Sequence, residues 1–337
     1  MEPEPEADGG AQLEWREPTD RRLLAEDAPL PVDLRAQRRT LQNSTYLRLY
    51  DAQPKNPGVE DVLASLAKVA SPYDVAAFKK VHATKASEGH RGGALAGAAS
   101  MAMDTHMQAV RNTAISTWCC AEDSLWTQDD PDSDAWVKGS KAVDRPAPVF
   151  KRLNDALVCD TEKKLKDWMP FVRSMTSFLT DSKQAPKRDL VTWRGSKMTP
   201  EQAGLLQPGV VVRACMFVAS SLDEAVGRMF TRERAQGGGF LLQLRIPSGC
   251  RNGTPVYHLA RIEDEREVLC PPYTPFRVLS VEPFEDGELT LITLDVLDGM
   301  FWLMVEEGQV DAATAKSILG FDVPPAQIGK RSLAVCL

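Results

Sequence analysis

The sequence predicts an α+β fold, with helices in the first half of the chain and β-strands in the second. Between residues 59 and 179, apolar residues recur at helical spacing, as in Val62, Leu66 and Val69. From Leu190 the spacing shortens to that of a strand, and runs rich in aliphatic and aromatic residues follow one another as far as Leu297. Because the two patterns occupy separate parts of the chain, they indicate the α+β class.

The expected core is a split pair of β-sheets, which the helices of the first half close on one side as a lobe. A helical pattern also lies between strands, at Leu222–Phe230, and another near Val310–Leu319. The predicted strands are Leu190–Trp193, Val210–Phe217, Phe240–Ile246, Pro255–Leu259, Glu267–Leu269, Phe276–Val281 and Leu289–Leu297.

The same patterns divide the chain into five zones. Residues 1–58 are rich in proline and charge and are expected to form a disordered leader. Residues 59–125 form a helical region, and residues 126–148, which include the acidic run Asp129–Asp134, form a linker. Residues 149–285 are predicted to be the domain that carries the functional site. Residues 286–337 form a C-terminal extension to which the sequence assigns no role.

Charge and composition describe an ordinary globular protein whose acidity is concentrated at one end. The 337 residues are 43% hydrophobic and carry a net charge of −7. Residues 1–30 hold nine acidic residues and three arginines, so the rest of the chain has a net charge of only −1. This near-neutral body has no basic stripe, which argues against a nucleic acid as partner.

The N-terminal sequence and the spacing of the cysteines predict a cytoplasmic protein. No basic region followed by an apolar core begins the chain, and no apolar run is long enough to span a bilayer. The seven cysteines are odd in number and lack C-x-x-C spacing, and the four histidines lack a shared metal-ligand spacing. We therefore expect reduced thiols, no disulfide framework and no bound metal.

An arginine closes the first predicted strand, in the run Leu190-Val-Thr-Trp-Arg194-Gly195. A guanidinium at a strand end suits a bidentate grip on a pyrophosphate or a ribose. The glycine after it lets a ligand approach the backbone. The other interpretation is an arginine that pairs with an acidic residue at the strand end.

Two carboxylates two positions apart, Glu265 and Glu267, lie further along the chain. Glu-x-Glu occurs four times in this sequence, so the spacing alone would usually mark a solvated face. The last pair differs from the others because Val268-Leu-Cys-Pro-Pro-Tyr273 follows it directly. Residues i and i+2 of a strand point to the same face, so we expect these two carboxylates side by side.

The run Phe217-Val-Ala-Ser-Ser221 lies between the arginine and the carboxylates. An arginine strand, a Ser-rich turn and E-x-E-V-L-x-P-P-Y in this order resemble the R-S-E class of mono-ADP-ribosyltransferases, and Phe150–Leu157 looks like the helix that precedes the arginine strand in that family. The resemblance covers roughly residues 145–285. It implies an ADP-ribosyltransferase fold, NAD as the substrate cleaved at its nicotinamide bond, and a protein arginine as the acceptor, on a partner that the sequence does not identify.

The resemblance also implies roles for individual residues. Glu267 is expected to stabilise positive charge on the ribose, and Glu265 to align the acceptor guanidinium and take up its proton. Phe230 matches a position beside the nicotinamide, although an aromatic residue there also suits the core. Arg232 and Arg234 precede Gly237-Gly-Gly239 and resemble a phosphate-binding loop, where glycines alone would indicate a hairpin connection. The implied catalytic residues are Glu267, Glu265 and Arg194, and the implied NAD-binding residues are Arg194, Gly195, Ser220, Ser221, Phe230, Arg232, Arg234 and Glu267.

One position departs from the family pattern. The family usually has Phe-x-Ser-Thr-Ser, and Ala219 replaces the first Ser, which normally orients the catalytic Glu. Either a neighbouring hydroxyl, in particular that of Ser221, substitutes for it, or the site is slow. Ser220 and Ser221 are also expected to cap the helix that follows. The alternatives to an arginine-specific transferase are therefore a degenerate relative that binds NAD or a partner with little turnover, or an enzyme that mainly hydrolyses NAD.

Overall fold

A computed structural model describes residues 44–119 except 55, 71–74, 77 and 84–97, and residues 149–337 except 199, 235–238, 261–264, 286, 331, 333 and 336. Most of the predicted acidic leader and the whole of the predicted linker 126–148 lie outside the described residues.

Helices come before the sheet, as predicted, and pack into one apolar cluster with part of it. Buried members of this cluster include Leu66, Ile115, Trp118 and Met175 from the helices and Phe217, the residue before the strand Val218–Ser221. These helices are α1 Thr45–Asp51, α2 Val59–Val69, α3 Ala98–Trp118, α4 Val149–Cys159, α5 Glu162–Leu165 and α6 Met169–Leu179, with a 3-10 turn at Lys166–Trp168. The α+β class is therefore confirmed, since a sheet follows.

In the part of the chain that the structure describes, nine strands are joined by hydrogen bonds in the order β5-β6-β3-β1-β4-β8-β7-β2-β9. Pairing is antiparallel except between β4 and β8 and between β2 and β9. The strands are β1 Leu190–Ser196, β2 Val211–Ala214, β3 Val218–Ser221, β4 Gly239–Ile246, β5 Thr254–Pro255, β6 Glu267–Cys270, β7 Thr274–Phe284, β8 Leu289–Val296 and β9 Ala334–Val335. The helices among and after them are α7 Pro200–Ala203, α8 Glu224–Arg234, α9 Gly299–Glu306, α10 Ala312–Leu319 and a 3-10 turn at Pro325–Gln327.

The two halves of this strand series pack against each other. A single apolar cluster contains Val218 and Val268 from one half and Val212, Val278 and Ile292 from the other. All five side chains are at most 2% exposed. The sheet therefore closes over a shared core, as the predicted two-layer arrangement requires, but hydrogen bonds connect the layers instead of leaving two separate sheets.

One predicted strand is divided. Val210–Phe217 was expected to be a single strand, but β2 ends at Ala214 and β3 begins at Val218. The connection is fully buried, and Cys215 N–H donates to the carbonyl of Val335 at 3.0 Å. A connection that is apolar throughout has the same local pattern as a strand, so the sequence did not reveal the break.

The C-terminal residues belong to the same structure as the sheet. β8 lies between β4 and β7, and β9 extends the series at β2. The α9 helix packs Trp302 and Val305 against Val211 of β2. The boundary predicted at residue 285 thus falls between two strands that pair with each other.

Two further features concern the described residues alone. Within them no helix combines the length and apolar character needed to cross a membrane. Across the same residues no group of three or more His, Cys, Asp or Glu side chains is arranged to hold a metal ion.

Candidate active site

A cavity of about 680 Å³ lies between the helical layer and one edge of the sheet. Its volume is within the range of sites that hold a small organic ligand. Seven of the predicted site residues line it: Arg194, Gly195, Ser220, Ser221, Phe230, Glu265 and Glu267. Its other lining residues are Trp118, Cys119, Phe150, Lys151, Asn154, Asp155, Trp193, Met216, Ala219 and Val226. The three sequence motifs therefore meet at one place.

Arg194 sits on β1, and its guanidinium bonds the main chain on two sides. Its Nη1 donates to the carbonyl of Ala219 at 2.8 Å, and its Nε and Nη2 donate to the main-chain oxygen of Leu337 at 3.2 and 3.0 Å. A guanidinium has five N–H donors, so this clamp uses three of them. Arg194 thus joins the last residue of the sequence to the Ser-containing strand beside the cavity.

Gly195 allows a helix to approach the strand. A Cβ at this position would lie 2.5 Å from the nitrogen of Thr231 and 2.7 Å from the carbonyl oxygen of Gly227, both in the backbone of α8. Gly227 meets β1 in the same way, since a Cβ there would lie 2.8 Å from Cβ of Trp193. Close packing of α8 on β1 therefore requires a glycine at position 195, and the approach of a ligand to this residue, which also lines the cavity, stays a prediction.

The serines form a strand instead of the predicted turn, and their hydroxyls are engaged. Ser220 Oγ lies 2.9 Å from the hydroxyl of Thr192 and 3.2 Å from the carbonyl of Val268. Ser221 Oγ donates to the carbonyl of Glu265 at 2.7 Å and accepts from Asp223 N–H at 2.9 Å. Ser221 therefore supports the backbone at Glu265, not the carboxylate of Glu267 as one of our alternatives proposed.

The cap of α8 also differs from the expectation. Asp223 precedes the helix, and its carboxylate accepts from the N–H of Ala225 at 2.9 Å. Aspartate is among the preferred N-cap residues because its oxygen satisfies a donor in the first turn. Ser221 does not cap the helix itself, because its hydroxyl accepts a hydrogen bond from the N–H of Asp223, the residue before the helix.

Glu267 is the first residue of β6, and Glu265 lies before this strand. Arg266, between them, has a φ of 45°, in the left-handed region. The expectation that both glutamates lie on one strand is therefore wrong, because the backbone turns at Arg266. Both side chains nevertheless line the same cavity, and each is half-buried.

Burial sets the electrostatics of both carboxyl groups. Burial disfavours the charged form and so raises the pKa of both Glu265 and Glu267. For Glu267, hydrogen bonds from the side chains of Cys119 and Trp118 lower the pKa, the charge of Glu265 raises it, and the charge of Arg194 lowers it. Two carboxylates whose proton affinity is raised suit chemistry near neutral pH.

Three residues at the site were missed by sequence reasoning. Trp118, at the end of α3, donates its indole N–H to Oε1 of Glu267 at 3.3 Å, and the thiol of Cys119 hydrogen-bonds the same side chain. Asn154 of α4 exchanges two hydrogen bonds of 3.1 Å with the backbone of Phe217, just before β3. Asn154 belongs to the helix that resembles the family pattern, but no local signal in the sequence marks Trp118 or Cys119.

The remaining predicted residues lie on α8. Phe230 is half-buried and lines the cavity, a position that suits contact with a flat ring. Arg232 and Arg234 belong to the last turn of this helix, and their side chains and the following glycines 237 and 238 lie outside what the structure describes.

Comparison with known protein families gives a match to this part of the chain. Residues 166–298 match the family model described as NAD:arginine ADP-ribosyltransferase. This range contains β1, β3 and β6 and hence Arg194, Ser221 and both glutamates. The resemblance that the motifs predicted is thereby confirmed.

A curated relative supports the same family over a shorter stretch. The chain is 38% identical over 92 residues to ecto-ADP-ribosyltransferase 5 of Bos taurus. The match covers 27% of this chain and 25% of the bovine protein, so it spans about a quarter of that protein's length.

Solved structures with similar folds are bacterial ADP-ribosyltransferases of low identity. The Vis toxin from Vibrio splendidus is 17% identical, with 74% of this chain and 92% of the toxin covered at a TM-score of 0.39. Exoenzyme S from Pseudomonas aeruginosa, in complex with human 14-3-3 protein beta and carba-NAD, is 18% identical, with 67% and 89% covered at a TM-score of 0.39. Both TM-scores are below one half.

Proposed function

We propose that the chain is an NAD:arginine ADP-ribosyltransferase, the family whose model matches residues 166–298, and that it transfers ADP-ribose from NAD to an arginine side chain of another protein, with release of nicotinamide. The observation that carries this proposal is the meeting of Glu265, Glu267 and Arg194 at one cavity.

The lining of the cavity suits NAD as a substrate. Trp193 and Phe230 offer aromatic surface for a flat ring, and Ser221 and the glutamates offer polar groups for a ribose. Lys151 and Arg194 place positive charge at the same cavity, which favours an anionic pyrophosphate. Arg194 already donates hydrogen bonds to two main-chain oxygens. Its first role is therefore structural, since it holds β1, β3 and Leu337 together.

The proposed reaction begins at the glycosidic bond of NAD. When this bond breaks, its electron pair leaves with nicotinamide, which becomes neutral, and positive charge develops on the ribose. A carboxylate fixed at the ribose stabilises that charge more in a partly dehydrated cavity than it would in water. Glu267 supports this role best, because it is half-buried at the cavity and the side chains of Trp118 and Cys119 hydrogen-bond its carboxylate.

The acceptor step needs a second carboxylate. A guanidinium has a pKa above about 12 and is a poor nucleophile unless a base takes up its proton as the new bond forms. Glu265 lies beside Glu267 at the cavity and outside β6, and burial raises its pKa, which makes it a better proton acceptor. Nitrogen of the acceptor thus gains the ribose carbon, and Glu265 gains the proton.

The function is tested by incubating the purified full chain with labelled NAD, with and without agmatine as an arginine mimic. We expect nicotinamide release that agmatine accelerates, and label in the agmatine product. Glu267→Gln removes the charge but keeps the shape, and we expect both activities to fall about 10²–10⁴-fold with little change in NAD affinity. Bound NAD without turnover in the wild type would contradict the proposal.

Ala219 favours one second candidate, a relative that binds NAD with little turnover or mainly hydrolyses it. A methyl group at this position cannot orient a carboxylate. The same incubation separates the candidates, because a hydrolase releases nicotinamide at a rate that agmatine does not change and leaves agmatine unlabelled.

A further inference from the structure

Position 219 lies on the face of the sheet that carries the catalytic candidate. In the β3–β6 pair, Ser221 is opposite Glu267 and Ala219 is opposite Leu269. Paired residues of antiparallel strands, and residues two apart on one strand, share a face. Ala219 and Glu267 therefore face the same cavity, and both line it. The methyl group of Ala219 offers no hydrogen-bond donor to the carboxylate.

A donor comes instead from the helical layer. The Nε1 of Trp118 lies 3.3 Å from Oε1 of Glu267, a hydrogen bond slightly longer than the usual N–H···O distance of about 2.7–3.2 Å. An indole N–H can only donate, so the indole must be the donor and the carboxylate the acceptor in this hydrogen bond. The next residue, Cys119, directs its thiol to the same side chain. The end of α3 therefore presents two donors to Glu267.

Packing fixes the direction of the indole N–H. Trp118 is 3% exposed. The centroid of its ring lies 5.0 Å from the ring centroid of Phe217 and 6.1 Å from that of Phe150. Phe217 is itself held to α4 by the two hydrogen bonds of Asn154. A ring confined on two sides by rings keeps its N–H at one place, and so it can select one rotamer of the glutamate.

We propose that Trp118 is the residue that positions Glu267 for catalysis, and that it performs the task of the hydroxyl absent at position 219. This inference rests on the proposed function, because positioning matters only if Glu267 turns over NAD. It assigns Trp118 an action through Glu267 and no chemical step of its own. If Trp118 were only a core residue, an aromatic ring without the N–H would serve equally well.

The test compares nicotinamide release by the full-length wild type, Trp118→Phe and Trp168→Phe. Trp168 is a matched control, since it is also 3% exposed in the same apolar cluster and does not line the cavity. We expect kcat to fall about 3- to 10-fold in Trp118→Phe, with KM for NAD little changed, and to stay near wild type in Trp168→Phe. Equal kcat in all three proteins would overturn the inference.

A second substitution that restores the activity of Trp118→Phe would distinguish a positioning role of Trp118 from a purely structural one. Ala219→Ser should change kcat by less than about twofold in the wild type but restore about 3-fold or more in Trp118→Phe, because one orienting bond then replaces the other. Besides Trp118, the groups that shift the pKa of Glu267 are Cys119, Glu265 and Arg194, and these three are kept in all of the variants. The acidic limb of the kcat profile should move to higher pH in Trp118→Phe, since a donor to the ionised form has been lost. An equal effect of Ala219→Ser in both backgrounds would contradict the inference.

A measurement on the wild type covers the case in which Trp118→Phe does not fold. The indole ¹⁵N–H resonance of Trp118 should shift with pH as Glu267 ionises, and this titration should disappear in Glu267→Gln. A resonance that does not titrate would overturn the inference. A wild type that releases no nicotinamide would instead refute the proposed function and any role of Trp118 in turnover, whereas normal kcat in Trp118→Phe refutes this inference alone.

Discussion

Arg213 and Glu306 form a bidentate ion pair inside the protein. Nε and Nη2 of the arginine lie 3.0 and 2.8 Å from the two carboxylate oxygens, and the side chains are 3% and 1% exposed. The guanidinium also donates to the carbonyl of Tyr273 at 2.6 Å, and the carboxylate accepts from Ser332 N–H at 2.9 Å. The pair therefore links β2, α9 and the turn that follows the Glu267 strand.

Removing one partner of this pair should be strongly destabilising. We expect Glu306→Ala to lower the free energy of unfolding by about 3–5 kcal/mol, because it leaves a buried guanidinium without its counter-charge. The exposed neighbour Glu307 provides the control, and Glu307→Ala should cost well under about 1 kcal/mol. Urea unfolding monitored by tryptophan fluorescence measures both.

Replacing both residues distinguishes the contribution of the two charges from that of the volume that their side chains fill. Arg213→Met with Glu306→Leu should lose less stability than Glu306→Ala alone, since neither buried charge then remains. Additive losses would mean that the two side chains act independently.

Replacing Glu265 should separate transfer from hydrolysis. In Glu265→Gln we expect labelling of agmatine to be abolished while slow NAD hydrolysis remains, because water needs no carboxylate to align it as a guanidinium does. Nicotinamide release and agmatine labelling are measured in parallel on one preparation. A fall of both by the same factor would make Glu265 a general part of the NAD site and would remove the support for arginine as acceptor.

The carboxyl group of Glu267 should cost the protein stability at neutral pH. Burial raises its pKa in the folded state, so its contribution to stability is fully present below the unfolded pKa of about 4.3 and is lost as the pH rises through the raised folded value. Glu267→Gln should therefore unfold at a higher urea concentration than the wild type at neutral pH. The difference should vanish near pH 4, where both side chains are neutral. Identical midpoints at neutral pH would mean that the hydrogen bonds to the carboxylate offset its burial.

Adding a methyl group at Gly195 should separate α8 from β1. We expect Gly195→Ala to lower the free energy of unfolding by about 1–3 kcal/mol and to reduce turnover, since α8 also carries Phe230 at the cavity. Gly58→Ala is the control, because its Cβ would meet only Asp61 Oδ2 at 3.6 Å and should cost less than about 1 kcal/mol. Equal losses in the two variants would show that the α8 contact is not tight.

Local patterns predicted the sheet where pairing is regular. Predicted strands at Leu190–Trp193, Phe240–Ile246 and Leu289–Leu297 correspond to β1, β4 and β8, the centre of the strand series. Their alternation follows from burial on a pleated surface, which the sequence records directly. The helix α9 was not predicted, because Gly299–Glu306 is apolar on most sides and has little helical periodicity.

The motifs predicted which residues meet but not how they are held. Arg194, Ser221 and Glu267 do line one cavity. Their partners depend on contacts between distant parts of the chain: Trp118 is 149 positions from Glu267, and Leu337 is 143 positions from Arg194. No local spacing encodes such contacts, and the left-handed backbone at Arg266 is equally invisible in a Glu-Arg-Glu run.

The hydrogen bonds from Arg194 to Leu337 extend the candidate site beyond the residues that match the family model. The family range 166–298 excludes Leu337, which receives two hydrogen bonds from Arg194, and it also excludes Trp118, which donates to Glu267. A fragment limited to residues 166–298 would contain Arg194, Ser221 and both glutamates and would lack both of these contacts. In this protein the part of the chain that matches the family model is therefore smaller than the set of elements that hold Arg194 and Glu267 in place.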